Sequence, residues 1–277
     1  MEKWILAVGA FIFGAAFGSF VGALVWRMKK GGKLWREFWR GGHSECEHCH
    51  HRLLWFELLP IISWICLRGK CRYCHKKIGA TTFLLEIFLG VAFLISFLWW
   101  PFSWAVGGIT LFILWLIALI LMAALLVYDA KWQLLPNKLM FPLLIVGVAF
   151  AITSFVVDLT AGASAGQLIV GRILAFIPVA GIYGSIYILS KGKLVGFGDV
   201  KFGLFVGLVA SWQESLIILF AANLLGTLYV MPSMLRKKVK MTSKIPFGPF
   251  LIIATFAVVL FGAQIVKWLQ TDLMLFI

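Results

Sequence analysis

The sequence predicts an all-α, polytopic membrane protein with about eight transmembrane helices and one small cytoplasmic zinc-binding loop domain. Three observations predict it. Hydrophobic residues make up 62% of the 277 and mean hydropathy is +1.00, which leaves a water-soluble monomer too little polar surface to cover itself. The apolar residues fall into eight runs, about 4–26, 83–100, 105–128, 139–157, 168–190, 200–211, 214–232 and 248–269. Finally, Lys and Arg gather in alternate connections between those runs, the charge parity expected of a chain threaded back and forth through a bilayer.

The first run follows Met1 and Lys3 in the manner of a secretory signal. Its apolar stretch is too long for one, however, and its basic cluster follows it, so it reads as a retained span. The connection 27–82 carries Arg27, Lys29, Lys30, Lys33, Arg36 and Arg40, and the third connection carries Lys131 and Lys138. The fifth carries Lys191, Lys193 and Lys201, and the seventh Arg236, Lys237, Lys238, Lys240 and Lys244. The even connections, near 101–104, 158–167 and 212–213, carry no Lys or Arg. The sixth run is short, but merging it with the seventh would send the basic stretch 236–244 to the opposite face. It is therefore kept as a short or partly re-entrant segment. Both termini are then expected outside and the odd connections in the cytoplasm. On this map the net charge of +14 faces anionic lipid and not nucleic acid.

Residues 27–82 are the one sizeable soluble piece. They contain Cys46-x-x-Cys49 and, after 21 intervening residues, Cys71-x-x-Cys74. Two such pairs offer four thiolates on two tight knuckles, the donor set of a structural zinc site, and a small loop without a core of its own gains its fold from the metal. His48, His50, His51 and His75 flank the knuckles and are alternative ligands. Five cysteines argue against a complete disulfide framework. Cys66, in the apolar run 61–67, is expected to be a small buried hydrophobe.

Among 11 acidic residues, those at membrane depth carry the most information. Asp158, Glu214 and Asp272 fall at the outer face. Glu86, one turn into the second run, suits a pairing or helix-positioning role as well as chemistry. Asp129 and Asp199 share the cytoplasmic edge: one closes the third run ahead of Pro136-Asn137, and the other stands in Gly196-Phe-Gly198-Asp199-Val-Lys201. The two glycines allow left-handed backbone or the close approach of another segment. Two carboxylates brought together share a proton and can hydrolyse a peptide, one as general acid and one as general base. Solvated helix ends and a cation site are the other readings of such a pair. Lys201 either lowers the pKa of Asp199 or snorkels to the headgroups.

Taken in order, these residues resemble the type IV prepilin peptidases, bifunctional membrane aspartyl proteases of the GxGD class. The resemblance is carried by Gly18-Ser19-Phe20 with Arg27, by Cys46 to Cys74 with Leu59-Pro60 and Ser63-Trp64 between the pairs, by Asp129 with Pro136-Asn137, by Gly196-Phe-Gly198-Asp199-Val-Lys201, and by Pro246-Phe-Gly-Pro249. It departs where members commonly carry glycine after each cysteine pair, since His50 and His75 stand there. It implies that Asp129 and Asp199 cut type IV prepilins and pseudopilins on the cytoplasmic side, after the glycine ending a basic leader. Gly196, Gly198 and Lys201 would support the site. It also implies N-methylation of the new amino terminus with S-adenosylmethionine, although no glycine fingerprint marks a methyl-donor pocket and the cofactor-binding residues are unknown. The implied division is a first transmembrane helix, 1–26, a four-cysteine zinc domain associated with methyl transfer, 27–82, and a transmembrane protease domain, 83–277, all in the bacterial inner membrane. An ion- or proton-coupled transporter and a non-catalytic pilin-assembly scaffold are the alternatives.

Overall fold

The computed structural model describes residues 2–29, 45, 46, 48–235 and 246–273. Lys30, Lys33, Arg36, Glu37, Arg40, Glu47, Arg236, Lys237, Lys238, Lys240 and Lys244 lie outside the described residues. The described residues are helical apart from connecting segments and two isolated β-bridges. Among the described residues, seven helices are long and apolar enough to cross a membrane. The chain divides into two compact units, Met1–Leu98 and Trp99–Ile277.

In the first unit α1 (Glu2–Lys29) packs along α3 (Thr81–Leu98). The contact rests on glycines four residues apart. A Cβ on Gly14 would lie 2.4 Å from the Leu89 carbonyl oxygen, one on Gly18 2.4 Å from the Glu86 Cα, and one on Gly22 2.8 Å from Thr82. In lipid, where burying apolar surface between helices gains little, such small-residue stripes let two backbones approach and gain dispersion energy. Between the two helices the chain makes the cysteine knuckles, a single 3-10 turn (Trp55–Leu58) and the short α2 (Ile62–Cys66). Cys66 is exposed, against the buried position expected of it, because this five-residue helix buries none of its side chains.

Glu86 has the positioning role. Its Oε2 accepts the Ile61 backbone N–H at 2.7 Å, and the Ser19 hydroxyl also bonds to the carboxylate. Ile61 has φ +63°, a conformation β-branched residues rarely adopt, at the turn between Pro60 and α2. Trp64 stacks on Phe83 of α3 at 4.3 Å, so the loop module is tied to α3 at two points.

The second unit contains α4 (Val106–Trp132), α5 (Asn137–Thr160), α6 (Ala165–Ser190), α7 (Phe197–Val209), α8 (Trp212–Leu235) and α9 (Gly248–Leu273). Helix α4 packs on α5 and α9, α7 on α5 and α6, and α8 on α9 and α6. The sixth run expected from sequence is α7, whose 13 residues keep it out of the seven full-length spans. Helix α6 widens into a π turn over Ile177–Gly181, where Pro178 lacks an amide hydrogen and the Gly181 N–H reaches back to the Phe176 carbonyl. The buried π turn faces α7 closely enough that a Cβ on Gly203 would lie 2.8 Å from the Ala180 nitrogen. Arg172, inside α6, donates to the Leu208 carbonyl at 2.9 Å in the last turn of α7 and to Ser154 of α5. That satisfies an intramembrane charge and ties the far end of the short helix.

Candidate functional site

Asp129 occupies the last turn of α4 and is buried. The helix stops four residues later because Gln133 takes a left-handed conformation (φ +53°), its N–H closing on the Asp129 carbonyl at 2.7 Å, and Pro136 then starts α5. The end of a helix is an unfavourable place for a negative charge. That is offset from another helix: the Gly248 N–H, first in α9, donates to Asp129 Oδ2 at 3.0 Å. Gly248 also leaves the space, since a Cβ there would lie 2.7 Å from the same oxygen.

Asp199 sits in the first turn of α7, and its carboxylate turns back to the amide of the N-cap Gly196, the geometry of half a capping box. Each of the two aspartates is thus held by the amino end of a helix. The loops that carry them touch. A Cβ on Gly198 would lie 2.9 Å from Leu135, in the turn after α4, and Lys201 Nζ donates to Asn137 Oδ1 at 2.6 Å. The Asp129 charge reaches Asp199 electrostatically.

Of the two roles open to the glycines, close approach is the one found. Gly196 has φ −75° and Gly198 is helical, so neither uses left-handed backbone. Lys201 bonds to Asn137 and lies over the Phe197 ring at 4.6 Å, a use that neither sequence reading of it contained.

In the first unit the four cysteines converge, all Sγ atoms lying within 4.8 Å of one another. Cys46 and Cys74 are 3.8 Å apart at sulfur and Cys49 and Cys71 4.0 Å. Four sulfurs at about 2.3 Å from a tetrahedral zinc are about 3.8 Å from each other, so the set fits a metal ion without histidine. The two knuckles repeat one pattern. The N–H of His50 bonds to the Cys46 carbonyl and that of His75 to the Cys71 carbonyl, each at 3.0 Å, and Glu45↔Arg52 and Lys70↔Lys77 close them as β-bridges. His50 and His75 both take φ +55°, the left-handed angle that glycine adopts without strain. Among the described residues, no histidine ring is one of the clustered donors: His50 Nδ1 faces Glu45 at 3.6 Å, and the His51 ring lies tilted against Tyr73.

The thiols are not equivalent. Burial pushes Cys46 up, but the amides of Cys49 and His48 and the neighbouring thiols outweigh it and bring the group down to about 7. Cys49 accepts the His51 amide, which lowers it, yet burial and the other three thiols carry it up to about 11.

Comparison with known proteins finds two family profiles along the chain. The profile of the Bacterial Peptidase A24 N-terminal domain matches residues 12–100, and that of the Type IV leader peptidase family matches residues 116–231. A prepilin leader peptidase/N-methyltransferase of Dichelobacter nodosus is 32% identical over 225 residues, 80% of this chain and 72% of the relative. The chain belongs to the type IV leader peptidase family. A Stutzerimonas stutzeri protein of the same name is 30% identical over 225 residues, 80% of this chain and 73% of its own. One from Pseudomonas putida is 27% identical over 286 residues, covering 96% of this chain and 94% of that one. No solved structure matches.

In this member of the type IV leader peptidase family, the aspartates, glycines and Lys201 singled out from sequence lie on loops that touch, and the four cysteines cluster. Sequence reasoning assigned no task to Gly248 within Pro246-Phe-Gly-Pro249, nor to Leu135 or Asn137. No local signal marks a glycine whose purpose is to receive a carboxylate 119 residues away in the chain.

Proposed function

We propose that this chain is a membrane aspartic endopeptidase that removes the leader of type IV prepilins and pseudopilins and then N-methylates the new amino terminus. Asp129 and Asp199 are the catalytic pair, and Gly196, Gly198 and Lys201 support it. The observation that carries this reading is the junction of the two aspartate loops, with Leu135 against Gly198, Lys201 bonded to Asn137, and Gly248 on Asp129. Sequence positions far apart are held together there by contacts that serve the carboxylates.

The pair works with one proton between them. The ionised carboxylate takes a proton from water as the water oxygen adds to the scissile carbonyl, and its protonated partner donates to that carbonyl oxygen. Collapse breaks the C–N bond and passes a proton to the leaving amine. The substrate is a helix that must unwind at the cut, which the glycine preceding it favours.

Cys46, Cys49, Cys71 and Cys74 hold a structural zinc ion. When bound, it supplies the cross-link that a loop without its own core requires. The domain assignments are 1–26, 27–82 and 83–277, with the zinc module and the aspartates on the cytoplasmic side of the inner membrane. Methyl transfer from S-adenosylmethionine rests on the family and on the names of the relatives.

Co-expression with a prepilin in a host lacking its own peptidase tests the whole reading by the mass of the pilin. Loss of the leader and gain of one methyl group are expected. Asp129→Asn or Asp199→Asn should leave the precursor uncut while the protein still inserts, and full processing by either variant would sink the pair.

A further inference from the structure

Beside the aspartate loops, the end of α8 and the start of α9 enclose an apolar groove of about 600 Å³, lined by Asn223, Thr227, Met231, Met234, Phe247 and Phe250 among others. Phe247 immediately precedes the Gly248 that holds Asp129. Behind the groove stands Tyr183 of α6, buried, its ring edge-on to Phe247 at 5.6 Å. One turn farther along α6, Tyr187 packs on Phe197 at 5.2 Å, and a Cβ on Gly184 would be in ordinary contact with Val200. This face of α6 therefore lies against the turn that bears Asp199, and the charge of Asp199 reaches the Tyr183 phenol.

The hydrogen bonding of Tyr183 is incomplete in an informative way. The Asn223 side-chain nitrogen donates to the Leu219 carbonyl at 2.8 Å. A carbonyl only accepts, so the amide is fixed with its nitrogen on that side. The same nitrogen is 2.9 Å from the Tyr183 hydroxyl oxygen, which must therefore accept. The phenol proton is left over and has no acceptor among the described residues. A buried donor without an acceptor is rare and calls for a ligand or a function.

We propose that the Tyr183 hydroxyl, aimed by Asn223, is a substrate-binding donor that gives its proton to a main-chain carbonyl of the peptide strand lying at Asp129 and Asp199. This deepens the proposed peptidase reading and rests on it. A helix unwound for cleavage exposes carbonyls that have lost their own amide partners, and in lipid there is no water to replace them. A fixed phenol supplies one such partner without recognising any side chain, as suits an enzyme that cuts several precursors at one kind of junction.

The test is Tyr183→Phe, which removes the hydroxyl and keeps the ring on Phe247. Its kcat/KM for a synthetic prepilin should fall about tenfold to a hundredfold with the melting temperature unchanged. Asn223→Ala, which leaves the phenol unaimed, should show a smaller loss in the same direction. Replacing each carbonyl oxygen beside the cut with sulfur, a weaker acceptor, should slow the unaltered enzyme at one position and have no further effect there on Tyr183→Phe. Cleavage by Tyr183→Phe at the original rate overturns the proposal. So does a slow variant in which every sulfur substitution costs what it costs the unaltered enzyme, since the phenol would then act through packing alone. Asp129→Asn run in parallel separates the two levels. If it cuts normally, the aspartate reading fails and takes this one with it. If it is inactive while Tyr183→Phe is unimpaired, only the role of Tyr183 falls.

Discussion

The backbone amide of Gly248 and the carboxylate of Asp129 are joined at 3.0 Å across 119 residues of sequence. The amide opens α9 and the carboxylate closes α4, so the amino end of one helix offsets the carboxyl end of another at a single acidic group. On the proposed peptidase mechanism, the other oxygen of Asp129 is the one that serves substrate and water.

Gly248→Ala should therefore act on catalysis before stability. The added Cβ would stand 2.7 Å from Asp129 Oδ2, so the carboxylate or the start of α9 must move. A displacement of that size at a catalytic group costs about a hundredfold in rate. Leader removal should fall by that order, while methylation of a pre-cut pilin, assigned to the other unit, should persist. Equal loss of both activities would indicate general misfolding.

Gly198→Ala and Gly196→Ala should differ. At Gly198 the new Cβ meets Leu135 Cβ and Cδ1 at 2.9 Å, whereas at Gly196 the nearest atom is Asp199 Oδ2 at 3.3 Å. Cleavage should fall about tenfold or more for Gly198→Ala and less for Gly196→Ala. Adding Leu135→Ala should restore part of the Gly198→Ala loss, because it removes Cγ and Cδ1 although not Cβ. Cleavage assays on the single and double variants decide this.

Lys201 and Asn137 should behave as one unit. Lys201→Met and Asn137→Ala each remove the 2.6 Å bond between the two aspartate loops, so the double variant should lose little more than either alone. A coupling of about 1 kcal/mol in cleavage free energy is expected from the cycle. Strict additivity would show that the bond does not transmit to the site.

Zinc retention should depend on pH with a definite sign. Zinc binds thiolate and displaces protons. With Cys46 near 7 and Cys49 near 11, uptake displaces a Cys49 proton between those values and protons from both below about 7. Affinity should therefore fall as pH falls, more steeply below about 7. Competition with a chelator at several pH values measures it, and Cys46→Ser with Cys49→Ser should abolish retention.

Hydropathy and charge parity made the spans readable because each is a local property of twenty or so residues. The same locality explains the misses. Cys66 sits in an apolar run but in a helix too short to bury it, and Gly196 and Gly198 are glycines for the sake of Asp199 and Leu135 and not of their own backbone angles. The aspartates could be named from their flanking Pro136-Asn137 and Gly196-x-Gly198. Tyr183 and Asn223 could not, because their meaning lies in which way one amide is turned by a carbonyl of its own helix.

Helix α7, finally, has 13 residues and so extends only about 20 Å, against a hydrocarbon layer of about 30 Å. Thinning of the bilayer around the protein is one way in which a mismatch of that size is met. Asp199 stands at one end of this segment, so a dimple in the lipid would lower the water surface toward a peptide bond otherwise sheathed in acyl chains. Cleavage should then respond to lipid tail length, being faster in liposomes of short-chain phosphatidylcholine than in long-chain ones at equal fluidity. The membrane itself would be one of the parts that brings water to the reaction.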